Sequence, residues 1–463
     1  MPPVELPAPR DEDPEFGGLV DRLVARLPWW VLVALVAILA AFAVLRMEAG
    51  YRGLLIVAPA VRSAGFYVAT GLGAVDLVSR RIEAIDYFAA EAGCRQVYPP
   101  ATYALLWPFI ASGSVEAARW TWAVVVGAAL AWLCRACALA CGFRDPRARL
   151  AFGLLPLTFL ATSSAVAVGQ LTPVVIALLV ASTLRLARSP RSFRDDAIGA
   201  SLFALAAVKP TLAAPFGWLL LFVPHSLRPA ALAAAVYGAL TAVALIGRHV
   251  GVTAAAGASH AVATTALRVH GGAVAAKPSP PLPRLTPDPI EAAASSLRRT
   301  KRVLQGGHAN LQNLLVDRGV DLPWLMLPAL LVLAAFGLWA WRRRRADPWV
   351  LLGVGGLVAR FAFYHRFYDD MLVIPALVAL ARLASGALAT AGGGRVVVAA
   401  GLSRMALATL LFTVGAMLAP RNFPPFEWRA LAATCGWITA LFVLVVAVGP
   451  GATARGWTRP ASE

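Results

Sequence analysis

Apolar runs close to bilayer length, divided by short arginine-rich links, recur along this 463-residue chain and leave few folds open to it. A helix needs roughly 20 apolar residues to cross the hydrocarbon core, and residues 28–45, 120–141, 323–341 and 428–448 come near or reach that length. Hydrophobic residues make up 59% of the chain and charged ones 14%, with a mean hydropathy of +0.70. A soluble domain carries far more charge. The sequence therefore predicts an all-α polytopic membrane protein. The formal net charge of +18 points first to nucleic acid. Its cations, however, gather in the short links, as the positive-inside rule produces. With no RNA- or DNA-binding module visible, nucleic acid is excluded as a partner.

Charge placement gives a topology. Residues 1–27 hold Asp11, Glu12, Asp13 and Glu15 and lack a basic start or a small-residue cleavage site, so they read as a cytoplasmic tail rather than a signal peptide. The first span is 28–45, and 120–141 returns to the basic link 143–149. The intervening residues, about 47–119, form a long outer loop. Within it residues 101–110 are too short to cross and read as a re-entrant or interfacial helix. Segments 150–168, 171–184, 197–208 and 212–223 then cross in turn, with Arg185, Arg188, Arg191 and Arg194 inside. Several are shorter than a bilayer, which is tolerated where protein or a water-filled cavity covers their ends. Segment 230–246 leads to a second outer loop, about 247–322. Segment 323–341 returns to Arg342-Arg343-Arg344-Arg345, and 349–363, 371–383, 396–418 and 428–448 complete about twelve spanning or broken helices. One transmembrane domain, 28–449, thus ends in a cytoplasmic tail, 450–463. Cys134, Cys137 and Cys141 have metal-like spacing but share one apolar helix with no second ligand cluster, so they read as packing.

This topology places Glu48, Asp76, Asp86, Tyr98, Gln170, Lys209, Asn310, Gln312, His365, Arg366, Asp369 and Asp370 on one outer face. Ionisable groups at membrane depth are expensive, roughly 2.5–3.5 kcal/mol each at a helix centre, and usually functional. Tyr98-Pro99-Pro100 opens the short helix, where proline loses no needed hydrogen bond. Gly169-Gln170-Leu171-Thr172-Pro173 makes a tight turn whose amide can hold a hydroxyl or phosphate oxygen, or simply close a hairpin. The Lys209-Pro210 ammonium wants an anion, unless it snorkels to the interface. His308-Ala309-Asn310-Leu311-Gln312-Asn313 alternates at helical spacing and could equally lie on the bilayer. In Tyr364-His365-Arg366-Phe367-Tyr368-Asp369-Asp370 the acids serve either a ligand or a helix N-terminus.

Taken in order, Val97-Tyr98-Pro99-Pro100 before an apolar helix, Gly169-Gln170, Val208-Lys209-Pro210, Asn310-Leu311-Gln312-Asn313-Leu314 and Tyr364 to Asp370 before an apolar run resemble the polyprenyl-phosphate-dependent glycosyltransferases of family 87. The resemblance spans roughly residues 45–383. It implies a GT-C-type multi-helix bundle with two long extracytoplasmic loops and an active site on the extracytoplasmic face. It also implies a polyprenyl-phosphate donor of mannose or arabinofuranose and a lipid-linked or cell-envelope glycan acceptor, met among membrane lipids. That family carries an Asp beside an aromatic residue early in the first outer loop. Here the stretch reads Arg46-Met47-Glu48-Ala49-Gly50-Tyr51, with no Asp. The resemblance thus assigns the catalytic base to Glu48 first, Asp86 second and Asp76 third.

For the remaining roles, Lys209, His365 and Arg366 would take the phosphate, and Tyr98, Gln170, Asn310, Gln312, Asp369 and Asp370 the sugar and acceptor. No residue is assigned as a metal ligand. Two adjacent carboxylates could hold Mg²⁺ or another divalent ion through waters, although polyprenyl monophosphate donors need none. The competing reading is a transporter or flippase for an anionic or lipid-linked solute, which would favour paired broken helices in two repeated halves. Abundant Ala, Arg and Gly suggest a bacterial plasma (inner) membrane.

Overall fold

The computed structural model describes residues 98–110, 115–247, 322–363, 367–385, 403–407 and 426–447, with parts of 28–41. Among these residues the regular structure is helical throughout, with no strand. In chain order the helices are α1 (Pro100–Ile110), α2 (Val115–Ala140), α3 (Pro146–Thr158), α4 (Leu160–Val168), α5 (Thr172–Leu186) and α6 (Phe193–Ala206). There follow α7 (Pro210–Ala213), a 3-10 turn (Ala214–Phe216), α8 (Gly217–Phe222), α9 (Arg228–Gly247), α10 (Leu322–Arg342) and α11 (Pro348–Ala362). A second 3-10 turn (Phe367–Val373), α12 (Ile374–Ala384) and α13 (Phe426–Ala447) complete the described chain.

The helices sort into an outer set and an inner pair. Stretches Trp120–Ala140 of α2 and Arg228–Gly247 of α9 are each long and apolar enough to cross a membrane, and α10 and α13 reach 21 and 22 residues. Their large side chains face outward: Val124, Ile246, Leu331 and Phe442 are each more than 60% exposed. Water does not tolerate so continuous an apolar surface. Lipid does. By contrast α11 and α12 are buried on nearly every side, the pattern of a helix apolar all round its circumference.

Glycine makes the centre possible. A Cβ on Gly356 would sit 2.3 Å from the Leu372 carbonyl oxygen, and one on Gly353 would lie 2.9 Å from the Ala376 Cα. Only a residue without a side chain lets α11 press against the second 3-10 turn and α12. That contact fixes where Asp369 and Asp370 stand.

Several helices are shorter or more broken than their apolar runs suggest. The run 150–168, expected as one span, divides at Phe159, whose extended backbone (φ −73°, ψ 133°) separates α3 from α4. Pro156 lies just before the break, and Thr162 caps the frayed turn by donating to the Pro156 carbonyl. The run 212–223 is three pieces hinged at the Ala214–Phe216 turn, where Pro215 stands. The run expected to start its helix at Met371 is 3-10 through Val373 and becomes α-helical only at Ile374. Residues 101–110 lie in the short helix expected, with Ala101, Thr102, Tyr103 and Leu106 buried against the bundle and Trp107 exposed.

The basic links gather at one end. Arg382, at the end of α12, pairs with Asp347 before α11 at 2.8 Å and donates to the Ala140 carbonyl at the end of α2. Arg147 stacks over Trp29 at 5.4 Å, bringing the first apolar run to the same place. Partial burial, then Arg344, Arg345 and Arg191, hold the His225 imidazole below its ordinary range, so three more links meet there. Residues Gln170, Lys209 and Asp369 lie at the other ends of these helices.

Candidate active site

Three helix breaks deliver the polar residues. Gly169, in the left-handed region at φ 68°, ends α4: its N–H donates to Val166 and that of Gln170 to Ala165. This paired closure is the Schellman arrangement, for which glycine is the usual residue. The indole of Trp122, on α2, anchors the turn by donating to the Gly169 carbonyl at 3.0 Å. Three residues after Gly169, α5 begins at Thr172, with Pro173 in its first turn. The second break is at Lys209, disfavoured from helical geometry because a proline follows; its backbone is at φ −115°, ψ 80°. Thr102 on α1 donates to the Val208 carbonyl at 2.7 Å and ties the short helix to this break. The third is the 3-10 turn bearing Asp369 and Asp370.

These breaks bring four side chains into one dry cluster. Lys209 Nζ lies 2.7 Å from Asp369 Oδ1, 2.8 Å from Thr172 Oγ1 and 3.4 Å from Gln170 Oε1. Thr172 in turn donates to the same Asp369 oxygen at 2.6 Å. Lys209 is 6% exposed and Asp369 4%. The ammonium therefore does not snorkel. Its anion is internal, 160 residues away in sequence. Gln170 spends its carbonyl on the lysine, leaving the amide N–H₂ as a donor for a hydroxyl or phosphate oxygen.

Asp370 turns elsewhere. Its Oδ1 pairs with Arg360 Nε of α11, and the Arg360 guanidinium lies over the Trp437 ring of α13 at 4.7 Å. Successive residues of a 3-10 turn point about 120° apart, so the turn is pinned to α5 and Lys209 on one side and to α11 on the other. Neither acid caps α12, whose N-cap is Val373 without a side-chain bond. A divalent ion shared by the two carboxylates would have to displace both cations. Among the described residues no group of three or more His, Cys, Asp or Glu gathers as a metal site.

Of the residues singled out in the sequence, Gln170, Lys209 and Asp369 meet directly and Asp370 stands beside them. Tyr98 is half-buried at the start of α1, where its backbone N–H faces the buried Tyr103 hydroxyl at 3.5 Å. Glu48, Asp76, Asp86, Asn310, Gln312, His365 and Arg366 lie outside the described residues. Three residues escaped the sequence reading. Thr172 and Thr102 carry no signal beyond a turn and a short helix. Arg360 does: an arginine three residues before the end of an otherwise apolar run is an intramembrane charge, and such charges call for a partner.

The sequence matches Glycosyltransferase family 87 over residues 97–364, more than half of the chain and the interval that holds Tyr98, Gln170, Lys209 and Arg360. No curated protein and no solved structure matches it. Helices with lipid-facing apolar surfaces, a dry polar cluster at their broken ends and this family match lead to one conclusion: the chain is a membrane protein of glycosyltransferase family 87.

Proposed function

We propose that the protein transfers a sugar of the mannose or arabinofuranose class from a polyprenyl-phosphate carrier to a lipid-linked or cell-envelope acceptor, at the extracytoplasmic face of a bacterial plasma membrane. The observation that carries the reading is the buried Lys209–Asp369–Thr172–Gln170 cluster at the end of the bundle away from the arginine links. The positive-inside rule makes the arginine end cytoplasmic and the cluster end extracytoplasmic. Both termini then lie inside. A prenyl-anchored substrate arrives through the bilayer with its charged head at the water boundary, the level at which broken helices can expose polar groups safely.

The reaction is an inverting substitution. The acceptor hydroxyl oxygen attacks the anomeric carbon, the bond from that carbon to the phosphate oxygen breaks, and polyprenyl phosphate leaves with the electron pair. The acceptor proton passes to a carboxylate of the first outer loop, Glu48 first, then Asp86 or Asp76. General-base assistance of this kind supplies about 10²–10⁴-fold. Lys209 pairs with Asp369 and pins it in place. The Gln170 amide would take a sugar hydroxyl or a phosphate oxygen, and the family resemblance assigns His365, Arg366, Asn310 and Gln312 to the same substrates.

Purified full-length protein in lipid, supplied with radiolabelled polyprenyl-phosphate mannose or arabinofuranose and a membrane acceptor fraction, tests this reading. Label should move to the acceptor, and one of E48Q, D86N or D76N should slow transfer by about 10²-fold or more. Movement of either lipid across the bilayer without transfer would overturn it in favour of a flippase.

A further inference from the structure

The two cations that hold the Asp369–Asp370 turn differ in the hydrogen-bonding capacity they have left. A lysine ammonium has three donors, and Lys209 directs them at Asp369, Thr172 and Gln170. An arginine has five. Arg360 uses Nε on Asp370, while Nη1 and Nη2 are buried and, among the described residues, have no hydrogen-bond partner. The side chain is 0% exposed. Trp437 stacks on the guanidinium face at 4.7 Å, which fixes its plane but satisfies none of its N–H groups. Phe361 packs edge-on against the same indole at 6.2 Å and holds it in place.

A guanidinium fastened at Nε, stacked on one face and left with its Nη donors unused has the fork for two oxygens in a plane, the pattern offered by phosphate. We infer that the Nη edge of Arg360 is the seat of the phosphate group of a prenyl-linked donor, with Asp370 and Trp437 holding the guanidinium and Lys209 positioning Asp369 instead of binding phosphate. The inference rests on the glycosyltransferase reading above. The donor phosphodiester carries one negative charge and the departing phosphate monoester gains a second. A fixed guanidinium favours the second charge as it develops. Both Nη groups are enclosed in this structure, so phosphate reaches them when the packing around the 3-10 turn opens.

The test uses full-length protein in phosphatidylcholine nanodiscs, with polyprenyl phosphate and the matching polyprenol as probes. Binding is measured with tritiated lipid and by the ³¹P resonance of the bound probe. Native protein is expected to prefer the phosphate over the alcohol. R360K keeps the charge and the Asp370 partner but loses the fork; with R360Q it should cut that preference by about tenfold or more, the scale of a charge-assisted bidentate contact. Melting temperatures identify misfolding, and R360K decides if R360Q does not fold. A preserved preference in R360K would overturn the role of Arg360 and leave the enzymatic reading standing. Absence of any preference in the native protein would overturn both. Equal displacement of the probe by phosphatidylglycerol would assign the seat to a bilayer phospholipid and overturn the carrier assignment.

Discussion

Lys209 and Asp369, at one end of the bundle, have side chains only 7% and 6% exposed. At the other end Arg188 and Arg228 keep 51% and 59% of theirs exposed while reaching Asp195 and Asp196 at 3.7 and 3.5 Å. Cation–carboxylate pairs thus differ between the two ends. A pair with a half-exposed cation, as Arg188–Asp195, contributes little to stability, while Arg191 and Arg228 share the buried Asp196 and Arg382 holds the buried Asp347 at the same end. A buried pair loses the solvation of both ions, and well-packed apolar residues often serve stability as well or better. The proposed role in sugar transfer supplies a reason to keep such a pair, with Thr172 and Gln170 completing its hydrogen bonds, that stability alone does not.

Breaking the buried pair from one side should give the largest effect. K209M strands the Asp369 carboxylate in a dry site and is expected to lose about 3–5 kcal/mol, read by thermal unfolding in detergent, with transfer abolished. G356A comes next: its methyl group meets the Leu372 carbonyl oxygen at 2.3 Å, so the turn must move off α11. A loss of about 1–3 kcal/mol and a sharp fall in transfer are expected, whereas G127A on α2, with nothing within 4 Å of its Cβ, should not lower stability and should leave transfer unchanged.

T172V removes the hydroxyl that bridges Lys209 and Asp369 and should lower stability by about 1–3 kcal/mol, with transfer reduced but measurable. At the basic end, S192A deletes the capping box in which Ser192 and Asp195 serve each other's backbone N–H. It should lower stability by about 1 kcal/mol and leave transfer unchanged. Smallest is R188A, whose exposed ion pair should register in neither measurement. A transfer defect in S192A or R188A matching that of T172V would erase the distinction between the two ends.

The sequence exposed this division unevenly. Apolar run length and the arginine links revealed a helical membrane protein, and turn chemistry marked Gly169-Gln170 and Lys209-Pro210 because glycine and proline act locally. The pairing of Lys209 with Asp369 is a tertiary fact: nothing near either residue names a partner 160 positions away. Helix breaks were only half legible. Pro156 and Pro215 announce irregularity, but the break at Phe159 also needs Thr162, which donates to the Pro156 carbonyl left free there, and no local pattern names that partner. Arg360 was visible all along as a charge in an apolar run, but its pairing with Asp370 and Trp437 depends on α11 meeting α13.

The triple replacement K209M/T172V/D369L puts the central claim to the most direct test, because it removes both charges and the bridging hydroxyl together. Its melting temperature should recover most of what K209M loses, since no buried charge is left unpaired, while sugar transfer from the polyprenyl-phosphate donor should stay abolished. Transfer near the native rate in the triple variant, or a melting temperature as low as that of K209M alone, would contradict the view that this buried pair is retained for chemistry.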